Sequence, residues 1–405
     1  MYYLVVTPFF PRPNSYIGGY VYDQVRAIRD ISGLDVVVYV PGGGKNYVYE
    51  GIEVHPFHIK QTPSYFFNGI HNKFNGQSFI KRVLSDGINP ENIYAVHCHV
   101  SYFGACGLAL KKLNPEILTI LQHHDLDPFT IRNGKFAGNL LNLYVRAHIN
   151  KRLFEKIDLH ISISRQTEKH LLNFPFATDA SSYPDYLSKE RKARLLGFKK
   201  PKINKSIVLN NGVDTKKFYK TNSPKDNDKF IIGINGNYIP LKNHNVLLRA
   251  VKTLVDKGYD DIIIRTIGRN PQNGFEQFQH DVKSLGLEKH VEYFYALPHE
   301  RMREFYNGLD LFVLPSVFEG FGCVFLEAYA CGVPFMSCTG QGISDVLTPD
   351  QQADWLAKPN DPHDLAMHIE DFIIHSNPQE LLSDFTIDKL IGNFINSLNS
   401  MRTIK

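Results

Sequence analysis

The chain has 405 residues, more than one compact core usually holds, and this length favours two α/β domains of ordinary size. With 43% hydrophobic, 12% aromatic and 21% charged residues, the composition is that of a globular protein and excludes a disordered or fibrous one. A formal net charge of only +4 excludes the dense basic face of a protein that coats nucleic acid, so no nucleic-acid partner is expected.

The first residues are apolar, carry no basic group and meet prolines within one strand length, so no signal peptide is predicted there. No apolar run approaches the ~18 residues that a spanning helix needs. The cysteines form no C-x-x-C pair and are odd in number, which favours buried thiols in a reducing compartment over disulfides or structural zinc: Cys98, Cys106, Cys323, Cys331 and Cys338. A cytoplasmic protein is expected, at most peripheral on the cytosolic face of a membrane.

Short apolar runs rich in β-branched residues alternate with helical patterns, which is typical of βαβ units and parallel sheets. The first series of predicted strands comprises residues 4–7, 36–40, 93–97, 117–121, 159–164 and 207–209. The second series comprises 230–235, 262–267, 291–295, 311–314 and 333–337. Residues 59–79, with aromatic side chains among Gly and Asn, are predicted as an irregular connection, with an ordered loop over a cleft as the alternative.

A polar stretch with proline, residues 219–229, separates the two series and has the composition of a surface linker. We therefore predict one domain over residues 1–220 and a second over 221–381. Apolar periodicity returns at residues 382–405 and predicts a terminal helix.

Positive charge is concentrated in residues 189–205, in a segment that holds Lys189, Arg191, Lys192, Arg194, Lys199, Lys200, Lys202 and Lys205. A solvated helix and loop is the simpler interpretation. Contact with an anionic membrane or an anionic acceptor is the alternative.

The strongest chemical signal lies at residues 311–334, where a buried strand is followed by the loop Glu319-Gly320-Phe321-Gly322 and then by an apolar helix that carries Glu327. The carboxyl end of a parallel strand is where open α/β sheets bind ligands. Glycines let the backbone approach a ligand, and a helix start favours an anion. Two carboxylates eight residues apart suit the hydroxyls of a sugar and a ribose. The alternative is that Glu319 caps the helix and Glu327 lies on an exposed face.

Two further glycine turns each follow a predicted strand and precede a helix. Gly18-Gly19 can bring N–H groups against a phosphate, although such a pair is also an ordinary turn. In the second domain Gly236-Asn237 is followed by Lys242 immediately before a helix. A lysine there is placed to neutralise a diphosphate, and an exposed surface lysine is the alternative.

Histidines cluster at the ends of two predicted strands, as His97 and His99 and as His123 and His124. Because they are spread over two strand ends without a second carboxylate framework, hydrogen bonding to an acceptor or a sugar suits them better than a metal. Core histidines with satisfied hydrogen bonds remain the alternative. By its position, His124 is the candidate functional residue.

The segment from Glu319 to Glu327 resembles the E-x7-E signature of the retaining glycosyltransferases of family 4, and the similarity extends through most of the chain. The family has the α/β GT-B fold, two Rossmann-like domains with parallel sheets that face each other across a cleft. The resemblance implies an acceptor-side N-terminal domain, a donor-binding C-terminal domain, and a terminal helix that packs back on the first domain.

The resemblance also implies residue roles. Glu319 would lie against the donor sugar and be catalytic together with Lys242 and His124, and Glu327 would bind the ribose. The implied donor-binding set is Gly18, Gly19, Asn237, Arg269, Leu297, Gly320, Phe321, Gly322 and Glu327. The family usually has Gly-Arg where this chain has Gly236-Asn237, so Asn237 is a departure, for which Arg269 is the candidate substitute.

The implied activity is a retaining hexosyltransferase that uses a nucleotide diphosphate sugar, UDP in preference to GDP, and a saccharide or glycolipid acceptor in cell-surface polysaccharide or lipopolysaccharide assembly. No cofactor and no metal are expected, and the context of Asp125-Leu126-Asp127 argues against reading it as a D-x-D metal motif. The alternatives are a GT-B phosphorylase, a nucleotide-sugar epimerase or, because of Asn237, a non-catalytic nucleotide-sugar binding protein.

Overall fold

A computed structural model of the chain describes residues 1–13, 15–60, 68–124, 131–132, 135–136, 148–174, 199–222, 228–271, 273–295 and 297–403. The chain forms two compact units, one of residues 1–211 together with 387–405, the other of residues 212–386. Each unit is built on its own parallel sheet. The sequence predicts boundaries after residues 220 and 381, and in the structure they fall after Asn211 and Thr386.

The first unit contains an eight-stranded sheet in the order β10-β9-β6-β5-β1-β2-β4-β3, with a separate two-stranded pair, β7 and β8. The strands are β1 Tyr2–Val6, β2 Asp35–Pro41, β3 Tyr47–Tyr49, β4 Ile52–Phe57, β5 Ile93–His99, β6 Leu118–His123, β7 Ile131–Arg132, β8 Lys135–Phe136, β9 Leu159–Ser162 and β10 Ser206–Val208. Among the described strands of the large sheet, only β3 pairs antiparallel, with β4. The central strands are buried almost continuously because helices cover both faces of a parallel sheet.

The described α-helices of this unit include α1 Gly19–Ser32, α2 Asn68–Ser85, α3 Gly104–Lys111 and α4 Arg165–Asn173. The C-terminal helix, Ile387–Thr403, also belongs to this unit. Glycines with left-handed backbone flank α1 at both ends, Gly18 with φ 88° and Gly33 with φ 67°. Ser164 caps α4 by accepting a hydrogen bond from the backbone N–H of Thr167.

The prediction of an irregular connection over residues 59–79 is wrong from residue 68 onward, where α2 begins. A Cβ on Gly76 would lie 2.8 Å from the Cβ of Ala109, so this glycine lets α2 pack closely against α3. Phe79 is fully buried on the same helix. Residues 61–67, which include three of the aromatic side chains, lie outside the described residues.

The C-terminal helix packs into the core of the first unit. Ile391, Phe394 and Leu398 are buried in one cluster with Tyr3 and Val5 of β1. These apolar positions recur at helical spacing, so one face of the helix covers the sheet.

Replacing Leu398 by alanine is expected to lower the free energy of unfolding by about 2–5 kcal/mol, because the leucine is fully buried and its loss leaves a cavity. Urea denaturation measures the change. Leu84→Ala is the matched control, since Leu84 lies on a helix of the same unit with 49% of its surface exposed, and its effect should stay within about 0.5 kcal/mol. Equal losses in the two variants would contradict the packing of this helix on the first unit.

The second unit contains a six-stranded parallel sheet in the order β13-β12-β11-β14-β15-β16. Its strands are β11 Phe230–Asn235, β12 Ile262–Gly268, β13 Val291–Tyr295, β14 Leu311–Val313, β15 Phe335–Cys338 and β16 Leu356–Ala357. Its helices are α5 His244–Asp256, α6 Gly274–Ser284, α7 Met302–Asn307, α8 Cys323–Ala330, α9 Pro349–Trp355 and α10 Pro362–His375. Among the helices that the structure describes, none combines the length and the apolar character that a membrane crossing requires.

Candidate functional site

Both sheets contain a point at which the order of the strands reverses. In the first unit the chain runs outward from β1 to one side and outward from β5 to the other, and in the second unit it does so from β11 and β14. Open α/β sheets bind ligands at such points, beyond the carboxyl ends of the strands. The sequence motifs lie there: Gly18-Gly19 follows β1, Gly236-Asn237 follows β11, and the loop with Glu319 follows β14.

In the second unit the structure brings Lys242 and Glu319 into direct contact. Lys242 ends the short 3-10 turn Pro240–Lys242 just before α5. Its Nζ donates a hydrogen bond to Glu319 Oε2 at 2.6 Å, and the two side chains are 19% and 17% exposed. The backbone N–H of Val317 donates to the carbonyl oxygen of Leu241 at 2.8 Å, which ties the two loops together.

The loop that carries Glu319 leaves backbone N–H groups for a ligand. Gly322, the residue before α8, has φ 86°, and a Cβ there would lie 2.6 Å from the ring of Phe325, so a glycine is required. No described residue accepts a hydrogen bond from the backbone N–H groups of Gly320, Phe321 or Gly322. The N-cap position of α8 is Gly322, and the hydrogen bonds found for the Glu319 carboxylate among the described residues come from Lys242 and Ser316. This arrangement does not favour the alternative that Glu319 caps the helix.

Glu327 lies on α8, half-buried, and is held by Tyr306, which Asn235 contacts in turn; the sequence motifs identify neither residue. Tyr306 donates its hydroxyl to Glu327 Oε2 at 2.7 Å, and Asn235 Nδ2 donates to the Tyr306 oxygen at 3.0 Å. Burial and the Glu327 carboxylate hold the pKa of Tyr306 well above its usual range. Tyr306 therefore remains a protonated donor that orients Glu327.

Asn237 and Arg269 follow neighbouring strands of the sheet and are both exposed. The backbone N–H of Tyr238 donates to the carbonyl oxygen of Arg269 at 3.0 Å, and a Cβ on Gly268 would lie 2.0 Å from the carbonyl oxygen of Gly236. The two turns are thus packed backbone to backbone. Leu297, half-buried, follows β13 one strand further out.

In the first unit Gly18 and Gly19 form a turn that only glycine fits. A Cβ on Gly18 would lie 2.5 Å from the carbonyl carbon of Phe9, and one on Gly19 would lie 1.9 Å from the ring of Tyr16. The ring of Phe9 faces His124 edge to face, with 6.2 Å between their centroids. The turn and His124 therefore lie on neighbouring parts of the same strand edge.

His124 ends a row of three stacked imidazoles. The ring centroids of His97 and His99 are 4.6 Å apart and those of His99 and His124 are 5.0 Å apart. His99 Nδ1 and His124 Nε2 share a hydrogen bond of 2.8 Å, while His97 Nδ1 bonds the hydroxyl of Tyr3 at 2.9 Å. In the described part of the chain, no partner is found for the buried atoms His99 Nε2 and His124 Nδ1. His97 and His99 are buried and His124 is half-buried, so the row runs outward from the core and ends at a ring nitrogen for which the described residues offer no partner.

The fourth histidine of the predicted cluster faces the other side of the sheet. His123 Nε2 bonds His160 Nδ1 at 3.0 Å, and His160 Nε2 bonds the carbonyl oxygen of Phe154 at 3.0 Å. For His123 the alternative of a core histidine is therefore correct. Asp125 and Asp127 lie outside the described residues, and within the described ones no three His, Cys, Asp or Glu side chains are grouped to hold a metal.

The buried histidines predict a loss of stability in acid. Burial lowers the pKa of His124 and of His97 from 6.5 to about 3, and that of His160 to about 4. Between pH 6.5 and 4 the unfolded chain binds protons that the folded chain does not, so the stability present at neutral pH is lost as the pH falls. Each such histidine should remove about 2 kcal/mol from the free energy of unfolding at pH 5.

Urea denaturation at pH 7.5 and pH 5 measures this loss. His160→Gln should reduce the difference between the two pH values. His280→Gln is the control, because the His280 side chain is 75% exposed, and it should leave the difference unchanged. Equal stability of the wild-type chain at both pH values would contradict the burial of these imidazoles in the neutral form.

Comparison with solved structures gives the fold class. The chain matches sucrose-phosphate synthase of Thermosynechococcus elongatus with a TM-score of 0.69 at 17% identity, covering 98% of this chain and 94% of that one. It matches Anabaena HepE, solved in complex with UDP and glucose, with a TM-score of 0.62 at 16% identity, covering 100% and 98%. With its two parallel-sheet units, the chain has the GT-B fold, as the sequence predicts.

Sequence comparison gives the family. The family described as glycosyl transferases group 1 matches residues 215–386, and glycosyltransferase family 4 matches residues 17–180. Among relatives, an uncharacterized glycosyltransferase of Methanocaldococcus jannaschii is 23% identical over 91% of this chain and 88% of its own length. The capsular polysaccharide biosynthesis glycosyltransferase CapM of Staphylococcus aureus is 27% identical over 51% of this chain and 50% of its own. The chain belongs to the family-4-type GT-B glycosyltransferases.

Proposed function

We propose that this glycosyltransferase moves a hexosyl-type sugar, with retention of anomeric configuration, from a UDP-sugar in preference to a GDP-sugar to a saccharide or glycolipid acceptor. The setting that we propose is cell-surface polysaccharide or lipopolysaccharide assembly. The Lys242–Glu319 pair at the strand-order reversal of the second unit carries the proposal. The complex of HepE with UDP and glucose and the capsular role in the name of CapM support the donor and the setting.

The pair explains how the unit would receive a nucleotide diphosphate sugar. In the structure the Lys242 ammonium neutralises the Glu319 carboxylate. A diphosphate that replaces the carboxylate as partner of Lys242 would also face the N-terminal end of α5. Glu319 is then released to accept hydrogen bonds from the sugar hydroxyls. Charge that develops on the departing diphosphate is stabilised by groups that are already in place.

The second carboxylate would bind the ribose. Tyr306 fixes the orientation of Glu327 through one carboxylate oxygen. A ribose presents neutral hydroxyl donors, for which a carboxylate is a strong charge-assisted acceptor. The loop that precedes α8 would also contact the donor, through the backbone N–H groups of Gly320, Phe321 and Gly322.

His124 would contact the acceptor or the sugar as a neutral group. With a pKa of about 3 the imidazole is uncharged at neutral pH and is a weak base, so hydrogen bonding suits it better than proton abstraction. Its Nδ1 has no partner in the described part of the chain, while His99 fixes the other ring nitrogen. Gly18 would provide a backbone N–H group to a phosphate, whereas the Gly19 N–H donates to the carbonyl oxygen of Tyr16 at 3.1 Å.

The family usually has an arginine at the position of Asn237, and we propose that Arg269 supplies this positive charge instead. The turn that carries Arg269 is hydrogen-bonded to the turn that carries Asn237. Arg269→Ala should raise the donor KM about 10-fold, as expected for one charge-assisted contact with phosphate. Arg249→Ala, which removes an exposed arginine of the same unit, is the control and should not change KM. An unchanged donor KM in Arg269→Ala would show that another group performs this role.

A donor and acceptor panel tests the proposal. Thermal shift with UDP- and GDP-sugars identifies the donor, because a ligand that binds the folded state stabilises it by mass action. Transfer is then measured with saccharide and glycolipid acceptors, with and without EDTA, and the product anomer is assigned by NMR. A retained anomer formed from a UDP-sugar in the presence of EDTA is expected. An inverted product, a GDP-sugar preference or loss of activity with EDTA would each overturn the corresponding part of the proposal.

The same panel separates the alternatives. Free sugar phosphate would indicate a phosphorylase, an epimerised donor would indicate an epimerase, and binding without turnover would indicate a nucleotide-sugar binding protein.

In the described part of the basic segment, Lys199, Lys200, Lys202 and Lys205 are exposed. We propose action at the cytosolic face of a membrane, and flotation with anionic liposomes at low and high salt tests it. Absence of binding at every salt concentration would refute the membrane contact.

A further inference from the structure

The loop that carries Glu319 is fastened by one buried side chain from a neighbouring turn. Gln341 follows β15 and is only 1% exposed. Its Oε1 accepts a hydrogen bond from the backbone N–H of Glu319. Its Nε2 donates to the carbonyl oxygens of Ser316 at 3.1 Å and Val317 at 3.2 Å. One amide group thus contacts the loop backbone at three points.

The residue after Gln341 reinforces the same contact. The backbone N–H of Gly342 donates to the carbonyl oxygen of Glu319 at 3.1 Å, so the turn bonds both the N–H and the carbonyl group of Glu319. A Cβ on Gly342 would lie 1.9 Å from the carbonyl oxygen of Gly320, which shows how closely the two backbones approach. The turn and the loop therefore form one packed contact.

These hydrogen bonds determine where the carboxylate of Glu319 lies. Between β14 and α8 the loop belongs to no strand or helix that could fix its path. An amide side chain offers two donors and an acceptor, which match the carbonyl and N–H groups of the loop. Ser316, one of the fastened residues, in turn donates its hydroxyl to Glu319 Oε2 at 3.1 Å. Gln341 thus fixes both ends of the segment that carries the carboxylate.

We propose that Gln341 is a positioning residue for sugar transfer, which holds Glu319 in place to meet the donor sugar. The inference rests on the proposed function, in which Glu319 contacts that sugar. Gln341 itself acts only through Glu319. Glu327 lies on α8 and Lys242 precedes α5, so Gln341 forms no hydrogen bond with the backbone that carries either residue. Among the described residues, the backbone of the Lys242 turn meets the backbone of the loop only through the Val317 N–H and the Leu241 carbonyl oxygen, so the main effect of losing Gln341 is expected at Glu319.

Two isosteric variants test the inference, Gln341→Met and Gln341→Glu. Each should lower kcat by about 10- to 100-fold, the cost of a misplaced catalytic group, and change the donor KM by less than about threefold. Gln341→Glu keeps the acceptor for the Glu319 N–H, so it serves if Gln341→Met does not fold. Wild-type kcat in a folded variant would overturn the inference.

Gln379→Met is the matched control for a loss of stability alone. Gln379 is also buried, at 8% exposed, and bonds the backbone N–H and carbonyl oxygen of Phe335 at 2.9 Å each. Both of these side-chain hydrogen bonds go to β15, and none is found to the loop in the described part of the chain. Gln379→Met should therefore lower the melting temperature while keeping kcat. A fall in kcat that matches the one in Gln341→Met would indicate a structural effect and overturn the inference.

A double-mutant cycle with Glu319 distinguishes positioning from direct contact. In a Glu319→Gln background, Gln341→Met should cost less than about threefold, because effects that act through one group do not add. Independent, multiplicative losses of kcat would overturn the inference.

Amide hydrogen exchange without substrate completes the test. Exchange of the Glu319 N–H should accelerate in Gln341→Met, and an unchanged exchange rate would also overturn the inference. A wild-type chain without transferase activity would instead refute the proposed function, while exchange still reports on the loop.

Discussion

Glu319→Gln is expected to lower kcat/KM for sugar transfer by about 100- to 1000-fold, the effect of removing one preorganised electrostatic contact from a reaction centre. The variant keeps the volume of the side chain but removes the charge that pairs with Lys242 and that would accept hydrogen bonds from the donor sugar. Steady-state kinetics with the donor found in the panel measures the change. Folding should be retained, since Gln341 and Gly342 hold the loop through its backbone.

Glu370→Gln is the control for this variant. Glu370 forms an ion pair with Lys257 in the same unit, with side chains 22% and 48% exposed, away from the strand-order reversal. Removing this charge tests whether any loss of an ion pair reduces activity. The control should keep full kcat/KM. If both variants lose activity equally, or if Glu319→Gln remains fully active, the proposed site is wrong.

Much of the fold was predictable because the sheets are parallel and buried. Every apolar run in the two predicted series coincides with a strand of the structure. The short strands β3 and β16 escaped prediction because two or three residues show no periodicity, and β4 because Pro56 and polar residues interrupt its apolar pattern. Helix α2 was missed because Gly76 and several Asn residues interrupt the helical spacing of its apolar residues. The close approach of α3 explains why a glycine is present there.

The candidate site was predictable only where its residues are close in sequence. Glu319 to Glu327 and the glycine turns are local patterns on a strand, a turn and a helix, and all of them lie at strand ends in the structure. The order of the strands, which brings β11 beside β14, cannot be predicted from any local sequence pattern. For the same reason Tyr306 and Gln341 were missed, since their contacts with Glu327 and Glu319 exist only after folding.

Lys242→Met is expected to reduce kcat/KM by about 100- to 1000-fold, because the ammonium would stabilise the charge on the departing diphosphate. The loss has a second source. Without the lysine, the Glu319 carboxylate stays unneutralised beside the site of a doubly charged ligand, so donor binding should weaken as well. Kinetics gives kcat/KM, and thermal shift with the donor gives the loss of binding.

The contact between the two side chains makes a sharper expectation. Part of the loss in Lys242→Met comes from the Glu319 carboxylate, which is left without its partner. The double variant Lys242→Met with Glu319→Gln should therefore have a higher kcat/KM than the product of the two single effects predicts. Lys257→Met, which breaks the ion pair with Glu370, is the control and should leave both kinetics and donor binding unchanged. Strict multiplicativity of the single losses would show that the two residues act on the donor independently, and the exchange of partners proposed for Lys242 would then have to be abandoned.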